Sequence, residues 1–243
     1  MTMAGAAPLD GRIVLVTGAS RGFGAAVATA CAAAGAKLVL AARTSGALEE
    51  LDDACRRAGG GEATLAVLDL TKGELVDGLG RSLFERFGRL DGLVACAGDL
   101  GPITPVSHLD PKALERILAI NLVANQRLIR SLDPLLRAAP AGRAVFVTDG
   151  EARPGRPYWG GYTASKAALE ALVRAYAAEL RLTQAKANLY DPGPMATRLR
   201  AQAYPGERPD AMPDPAVAAP AVIELLRPDC QRNGEIVRRL QSA

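Results

Sequence analysis

A glycine-rich loop, set between a short apolar run and an alanine-rich one, constrains this chain more than any other feature. Ile13–Thr17 leads directly into Thr17-Gly18-Ala19-Ser20-Arg21-Gly22-Phe23-Gly24, and Ala25–Ala34 continues as a helical stretch. Glycines at such a turn let the backbone bend sharply and approach a ligand, while free amides and the positive end of the following helix receive negative charge. Three glycines alone mean little; their place between a strand and a helix gives them meaning. Gly18, Ser20, Arg21, Gly22, Phe23 and Gly24 therefore predict a cradle for the pyrophosphate of a dinucleotide.

The rest of the chain keeps the strand–helix rhythm. Lys37–Ala41, Thr64–Leu68, Gly92–Ala95, Ala144–Thr148 and Ala187–Tyr190 read as strands, separated by helical runs at Gly46–Ala58, up to Phe87, and at Pro111–Ala138 and Tyr162–Leu182. The strands are apolar without clean alternation, as in a parallel sheet covered on both faces. The predicted fold class is α/β: a Rossmann-like, doubly wound parallel sheet in three layers, α/β/α, with residues 1–243 forming a single domain. Hydrophobic residues at 49% and charged residues at 23% suffice for a large core and argue against disorder. Residues 192–215, rich in Pro, Gly and Arg, predict a substrate lid. Pro215–Leu226 and Glu235–Arg238 should complete the sheet and its cover.

Charge narrows the partners. The 29 basic and 26 acidic residues are interspersed and give a formal charge of +3, with no polybasic block for nucleic acid or a membrane surface. Met1–Gly11 has no basic stretch leading into an apolar run, and no later run matches a bilayer in length, so a cytoplasmic location is expected. Cys31, Cys55, Cys96 and Cys230 are widely spaced and read as buried free thiols, with neither a disulfide framework nor a metal site. His108 reads as a solvent-exposed loop residue.

The second strand ends Leu40-Ala41-Ala42-Arg43. Sheets that prefer NAD(H) place an acid here for the ribose hydroxyls, whereas arginine suits a 2′-phosphate. Arg43, with Arg21 as a second guanidinium, predicts NADP(H) preferred over NAD(H).

Tyr162-Thr163-Ala164-Ser165-Lys166 carries the candidate chemistry. Four positions apart on a helix, Tyr162 and Lys166 share a face. An ammonium beside a phenol stabilises the phenolate, so Lys166 is expected to lower the Tyr162 pKa into a useful range. The pattern Tyr-x-x-x-Lys, together with Thr-Gly-x-x-x-Gly-x-Gly at Thr17–Gly24, resembles the short-chain dehydrogenase/reductase family. Asp69-Leu70, Ala97-Gly98, Asn121, Pro192-Gly193 and Thr197 follow in the family's order, so the resemblance covers about residues 12–240, and within the family a bacterial branch of little-characterised oxidoreductases looks most similar. It implies a small-molecule substrate, a homodimer or homotetramer, and a cofactor along Asp69, Leu70, Cys96, Ala97, Gly98, Pro192, Gly193 and Thr197. It further implies that Lys166 holds the nicotinamide ribose and that Asn121 kinks its helix and positions a relay water.

Two positions depart from the family pattern. The family serine, 13 residues before the tyrosine, is Asp149 here, and the usual asparagine before Ala97-Gly98 is Cys96. An ionised carboxylate cannot donate to a carbonyl oxygen and opposes nearby negative charge. Three roles stay open to Asp149: a protonated donor, an anion for an amine or imine, or an ion-pair partner of Arg153 or Arg156. Thr148 is expected to point to the opposite face unless the strand ends one residue early. The sequence thus reads as an NADP(H)-dependent oxidoreductase with Tyr162, Lys166, Asn121 and Asp149 at its centre, or as a catalytically impaired NADP(H)-binding sensor or interaction protein.

Overall fold

A computed structural model describes residues 7–239. The reading of Met1–Gly11 as free of a leader, and the outer ends of the predicted domain, lie partly outside the described residues. The chain runs β1 (Ile13–Thr17), α1 (Gly22–Ala33), β2 (Lys37–Ala42), α2 (Ser45–Arg57), β3 (Thr64–Val67), α3 (Gly73–Phe87) and β4 (Gly92–Ala95). It continues with α4 (Pro111–Leu118), a π turn (Ala119–Val123), α5 (Ala124–Ala138), β5 (Arg143–Val147), α6 (Gly160–Glu179), β6 (Lys186–Asp191), α7 (Arg198–Ala203), α8 (Ala219–Leu226) and β7 (Ile236–Arg238). The seven strands form one parallel sheet in the order β3-β2-β1-β4-β5-β6-β7.

The strands lack polar alternation because both faces of the sheet are buried. Val14, Val16, Leu38, Leu40, Val94 and Val145 face a core shared with Val27 and Cys31 of α1 and Val222 and Leu226 of α8. Their neighbours Leu15, Val39, Leu93, Ala144 and Phe146 face a second core with Leu83 of α3, Leu132 of α5 and Val173 of α6. Each strand therefore alternates between two apolar layers. Among the described residues no helix is long and apolar enough to cross a membrane.

The order reverses between β1 and β4, and at such a switch the loops after the strands diverge and leave a crevice at their carboxyl ends. In α6 the buried positions Tyr162, Ser165, Lys166, Leu169, Glu170, Val173, Tyr176 and Ala177 repeat at helical spacing, so Tyr162 and Lys166 lie on the inward stripe. The expected continuous helix Pro111–Ala138 is interrupted by the π turn around Asn121. Residues 192–215 are mostly loop, but they contain α7, capped by the Thr197 hydroxyl accepting from the Arg200 amide. The thiols need a correction: Cys31 and Cys55 are buried as expected, whereas Cys96 and Cys230 are only partly buried, because both follow the ends of buried elements.

Candidate active site

One crevice at the β1/β4 switch is lined by the glycine loop at one end and by Asp149, Tyr162 and Lys166 at the other. Gly18 and Gly24 explain how the backbone closes on itself here. A Cβ on Gly24 would sit 2.3 Å from the Gly18 carbonyl oxygen, and one on Gly18, where φ is +65°, would sit 2.7 Å from the Ala97 amide nitrogen. No side chain caps α1 and no acid occupies its first turn, so the amides at its positive end are left for an anion. Arg21 and Arg43 are exposed on the same crevice. A cradle that admits no side chain, an uncapped helix start and two guanidinium groups together fit a dinucleotide phosphate.

The other predicted cofactor positions also line the crevice: Ser20, Gly22, Phe23, Asp69, Leu70, Cys96, Ala97, Gly98, Pro192, Gly193 and Thr197. Phe23 is buried and stacks on Tyr190, so its ring belongs to the core. The Asp69 carboxyl is held below its usual value by the Thr71 amide and hydroxyl, with Arg43 adding to the effect. Burial pushes the Cys96 thiol up to about 12 despite Lys166 nearby, so the thiolate is disfavoured.

Asp149 follows β5, and its carboxylate is met by neutral donors: the Glu151 amide donates to Oδ1 at 2.8 Å and the Tyr162 hydroxyl donates to Oδ2 at 3.1 Å. The ion pairs that the sequence left open to it go elsewhere. Arg153 binds Glu170 at 3.0 Å and Asp191 at 3.2 Å, while Arg156 lies over the Trp159 and Tyr204 rings and 4.0 Å from Glu151. The Glu151 carboxylate turns to Arg200 at 2.7 Å and makes no hydrogen bond to the Asp149 carboxylate. β5 ends at Val147, the early end under which Thr148 need not face away; Thr148 lines the crevice, while its hydroxyl donates to buried Glu170 at 2.7 Å.

The expectation that Lys166 lowers the Tyr162 pKa is corrected. Tyr162 is 4% exposed, and its phenol stands well above the ordinary value, first through burial and then through the Asp149 charge. The Lys166 Nζ lies 5.7 Å from the tyrosine ring centroid and donates to the Val147 carbonyl at 3.0 Å; burial lowers its own pKa, with Asp149 opposing. Desolvation and a nearby anion both disfavour phenolate, and together they outweigh the ammonium.

Asn121 is held by neighbouring residues. It is fully buried behind the crevice, with Oδ1 accepting from the Asp99 amide and Nδ2 donating to the Asp99 carbonyl and the Ser165 hydroxyl, each at 2.8 Å. It sits in an interrupted helix, and its side chain makes three hydrogen bonds to protein partners, with one acceptor site of Oδ1 left over. Sequence reasoning missed Ser165, Trp159 and the Arg200 cluster. The signals were present: Ser165 lies one helical turn after Tyr162, and Trp159 three residues before it. In α7, Arg200 pairs with Glu207 at 2.5 Å as well as with Glu151, and stacks over Tyr204 at 3.8 Å.

Comparison with known proteins gives a consistent picture. Residues 12–208 match the family model described as short chain dehydrogenase. The uncharacterised oxidoreductase YciK of Escherichia coli K12 is 33% identical over 226 residues, covering 92% of this chain and 89% of that protein. A Pseudomonas syringae structure assigned to the short-chain dehydrogenases is similar with TM-score 0.92 at 38% identity, covering 96% of both chains. An E. coli CFT073 structure with the same assignment, solved in complex with NADPH, has TM-score 0.91 at 32% identity over 96% of this chain and 98% of that one.

Proposed function

The chain belongs to the short-chain dehydrogenase family, and on that premise we propose that it is an NADP(H)-dependent oxidoreductase acting on a small substrate. The reaction class is hydride transfer at a carbonyl/alcohol or imine/amine centre, with Asp149 in place of the usual serine. The observation that carries this reading is the meeting of Asp149, Tyr162 and Lys166 in one crevice with the glycine cradle. When bound, NADPH supplies the hydride. The loop Gly18–Gly24 with Arg21 and Arg43 would hold its phosphates, and Asp69, Leu70, Cys96, Ala97, Gly98, Pro192, Gly193 and Thr197 would line it. Tyr162 holds the transferable proton, Lys166 supplies the adjacent positive charge, and Asn121 braces the π turn behind them.

Residues 192–215 act in this reading as the lid over the substrate end, clasped to the segment after β5 by the Arg200–Glu151 pair. We read the protein as a single-domain, cytoplasmic homodimer or homotetramer. A second reading, a catalytically impaired NADP(H)-binding protein, draws support from the commitment of the Tyr162 proton to Asp149. NADPH binding without turnover of any carbonyl or imine would favour it.

Calorimetric titration with NADPH and NADH tests the cofactor assignment. NADPH should bind more tightly, and Arg43→Ala should weaken it about 10–100-fold while leaving NADH nearly unchanged, the scale of one charged hydrogen-bonding group. Equal binding of the two nucleotides would refute the NADP(H) preference, and binding of neither would refute the oxidoreductase reading.

A further inference from the structure

The acids around the substrate end are paired with one exception. Arg200 binds Glu151 and Glu207, Arg153 binds Glu170 and Asp191, and Arg116 binds Asp99 at 3.0 Å. Asp149, among the described residues, has no ion pair; its oxygens accept only from the Glu151 amide and the Tyr162 hydroxyl. Neutral donors orient a carboxylate without cancelling its charge, and Lys166, which feels that charge, is bonded to the Val147 carbonyl rather than paired with it, so the carboxylate still favours a cation.

Aromatic rings stand beside it. The Trp159 ring lies 5.8 Å from Tyr162, edge to face, and 5.8 Å from Tyr204, and all three residues line the crevice with Asp149. Aromatic faces attract cations, and Arg156 already lies over both Trp159 and Tyr204. The charge of Arg200 is taken up by its two glutamates, so the lid adds little repulsion.

We infer that this site takes a carbon–nitrogen double bond as its cationic iminium, paired with the Asp149 carboxylate, an inference that rests on the oxidoreductase reading above and narrows its substrate. Reducing a ketone builds negative charge on oxygen beside that carboxylate and requires a proton that Tyr162 already directs to Asp149. Reducing an iminium removes a positive charge and requires no proton in the hydride step. The carbon of the C=N bond accepts the hydride from the reduced nicotinamide, which becomes oxidised. The π electron pair passes to nitrogen as a lone pair, and the neutral amine takes a proton from solvent. Asp149 holds the cation, and Tyr162 holds Asp149.

The test uses the full-length protein with NADPH, a methylpyrroline as the imine and cyclohexanone as the ketone, with the amine product identified by mass spectrometry. Binding of the saturated methylpyrrolidine cation is measured by calorimetry in parallel. The imine should exceed the ketone at least about tenfold in kcat/KM, and Asp149→Asn, which keeps the side-chain shape, should lower both imine kcat/KM and methylpyrrolidine affinity about 10–100-fold. NADPH affinity and the circular dichroism of the variant should be unchanged. Ketone turnover without imine turnover, or methylpyrrolidine binding that is absent or indifferent to Asp149→Asn, would overturn the inference while leaving the oxidoreductase reading in place. Failure to bind NADPH would instead remove the reading beneath it.

Discussion

Asp149→Ser is expected to raise kcat/KM for ketone reduction by about 10²–10³-fold, the effect of one donor to a developing oxyanion. Three changes act together. A hydroxyl able to donate replaces an acceptor-only carboxylate; the Tyr162 proton is released from its 3.1 Å bond to Oδ2; and the anion that raises the phenol pKa disappears. Burial remains the larger cause of that shift, so Tyr162 stays above the ordinary phenol value but moves down. As the acid in ketone reduction Tyr162 works below its pKa, and the alkaline limb of the pH–rate profile should therefore move to lower pH in the variant. Adding Tyr162→Phe should cancel the gain. A serine variant no faster than the parent enzyme would show that Asp149 does not restrain ketone chemistry.

Gly24→Ala is expected to weaken NADPH binding by more than about 100-fold and to lower Tm. Alanine improves helix propensity by about 1 kcal/mol, which alone would stabilise α1. The new methyl would sit 2.3 Å from the Gly18 carbonyl oxygen and 2.9 Å from its carbon, both backbone atoms with no rotamer to yield. Overpacking of this kind costs about 1–3 kcal/mol or more and wins, at about 2–4 °C per kcal/mol for a chain of this size. The cradle must open to relieve it, which moves the amides that would meet the phosphates. Gly46→Ala in α2 is the control, since nothing lies within 4 Å of its added Cβ and the same propensity gain should appear unopposed. Equal behaviour of the two variants would refute the steric argument.

Much of the fold was legible because its signals are local. A strand–glycine–helix junction and apolar runs at regular intervals specify a doubly wound sheet, and the spacing from Tyr162 to Lys166 fixes a shared helical face. The polar partners were harder to read because they are set by three-dimensional competition. Asp149 had Arg153 and Arg156 within seven residues, yet Arg153 is drawn to Glu170 and Asp191 from α6 and β6, and Arg156 to the Trp159 and Tyr204 rings. Proximity to Lys166 suggested a lowered tyrosine pKa, but burial depends on how completely Leu100, Trp159 and the residues of and after α7 close over the ring. The six-residue α7 escaped detection because its stability comes from the Thr197 cap and the Arg200 pairs rather than from its own periodicity.

The π turn keeps an angular phase as well as placing a side chain. An α-helix advances about 100° per residue, and a π turn accommodates extra chain without ending the helix. Ile117 before it packs near Gly101 and Gly161, while Leu128, Leu132, Leu135 and Leu136 after it enter the core against the sheet. The π turn over Ala119–Val123 takes up the added residue between the two stripes. Five residues in a π turn advance about as far as four in an α-helix, so a one-residue deletion there would yield a more regular helix with both stripes near their present phase. In this stretch the added residue costs the packing stripes nothing, and what a deletion would remove is the widened turn that carries Asn121.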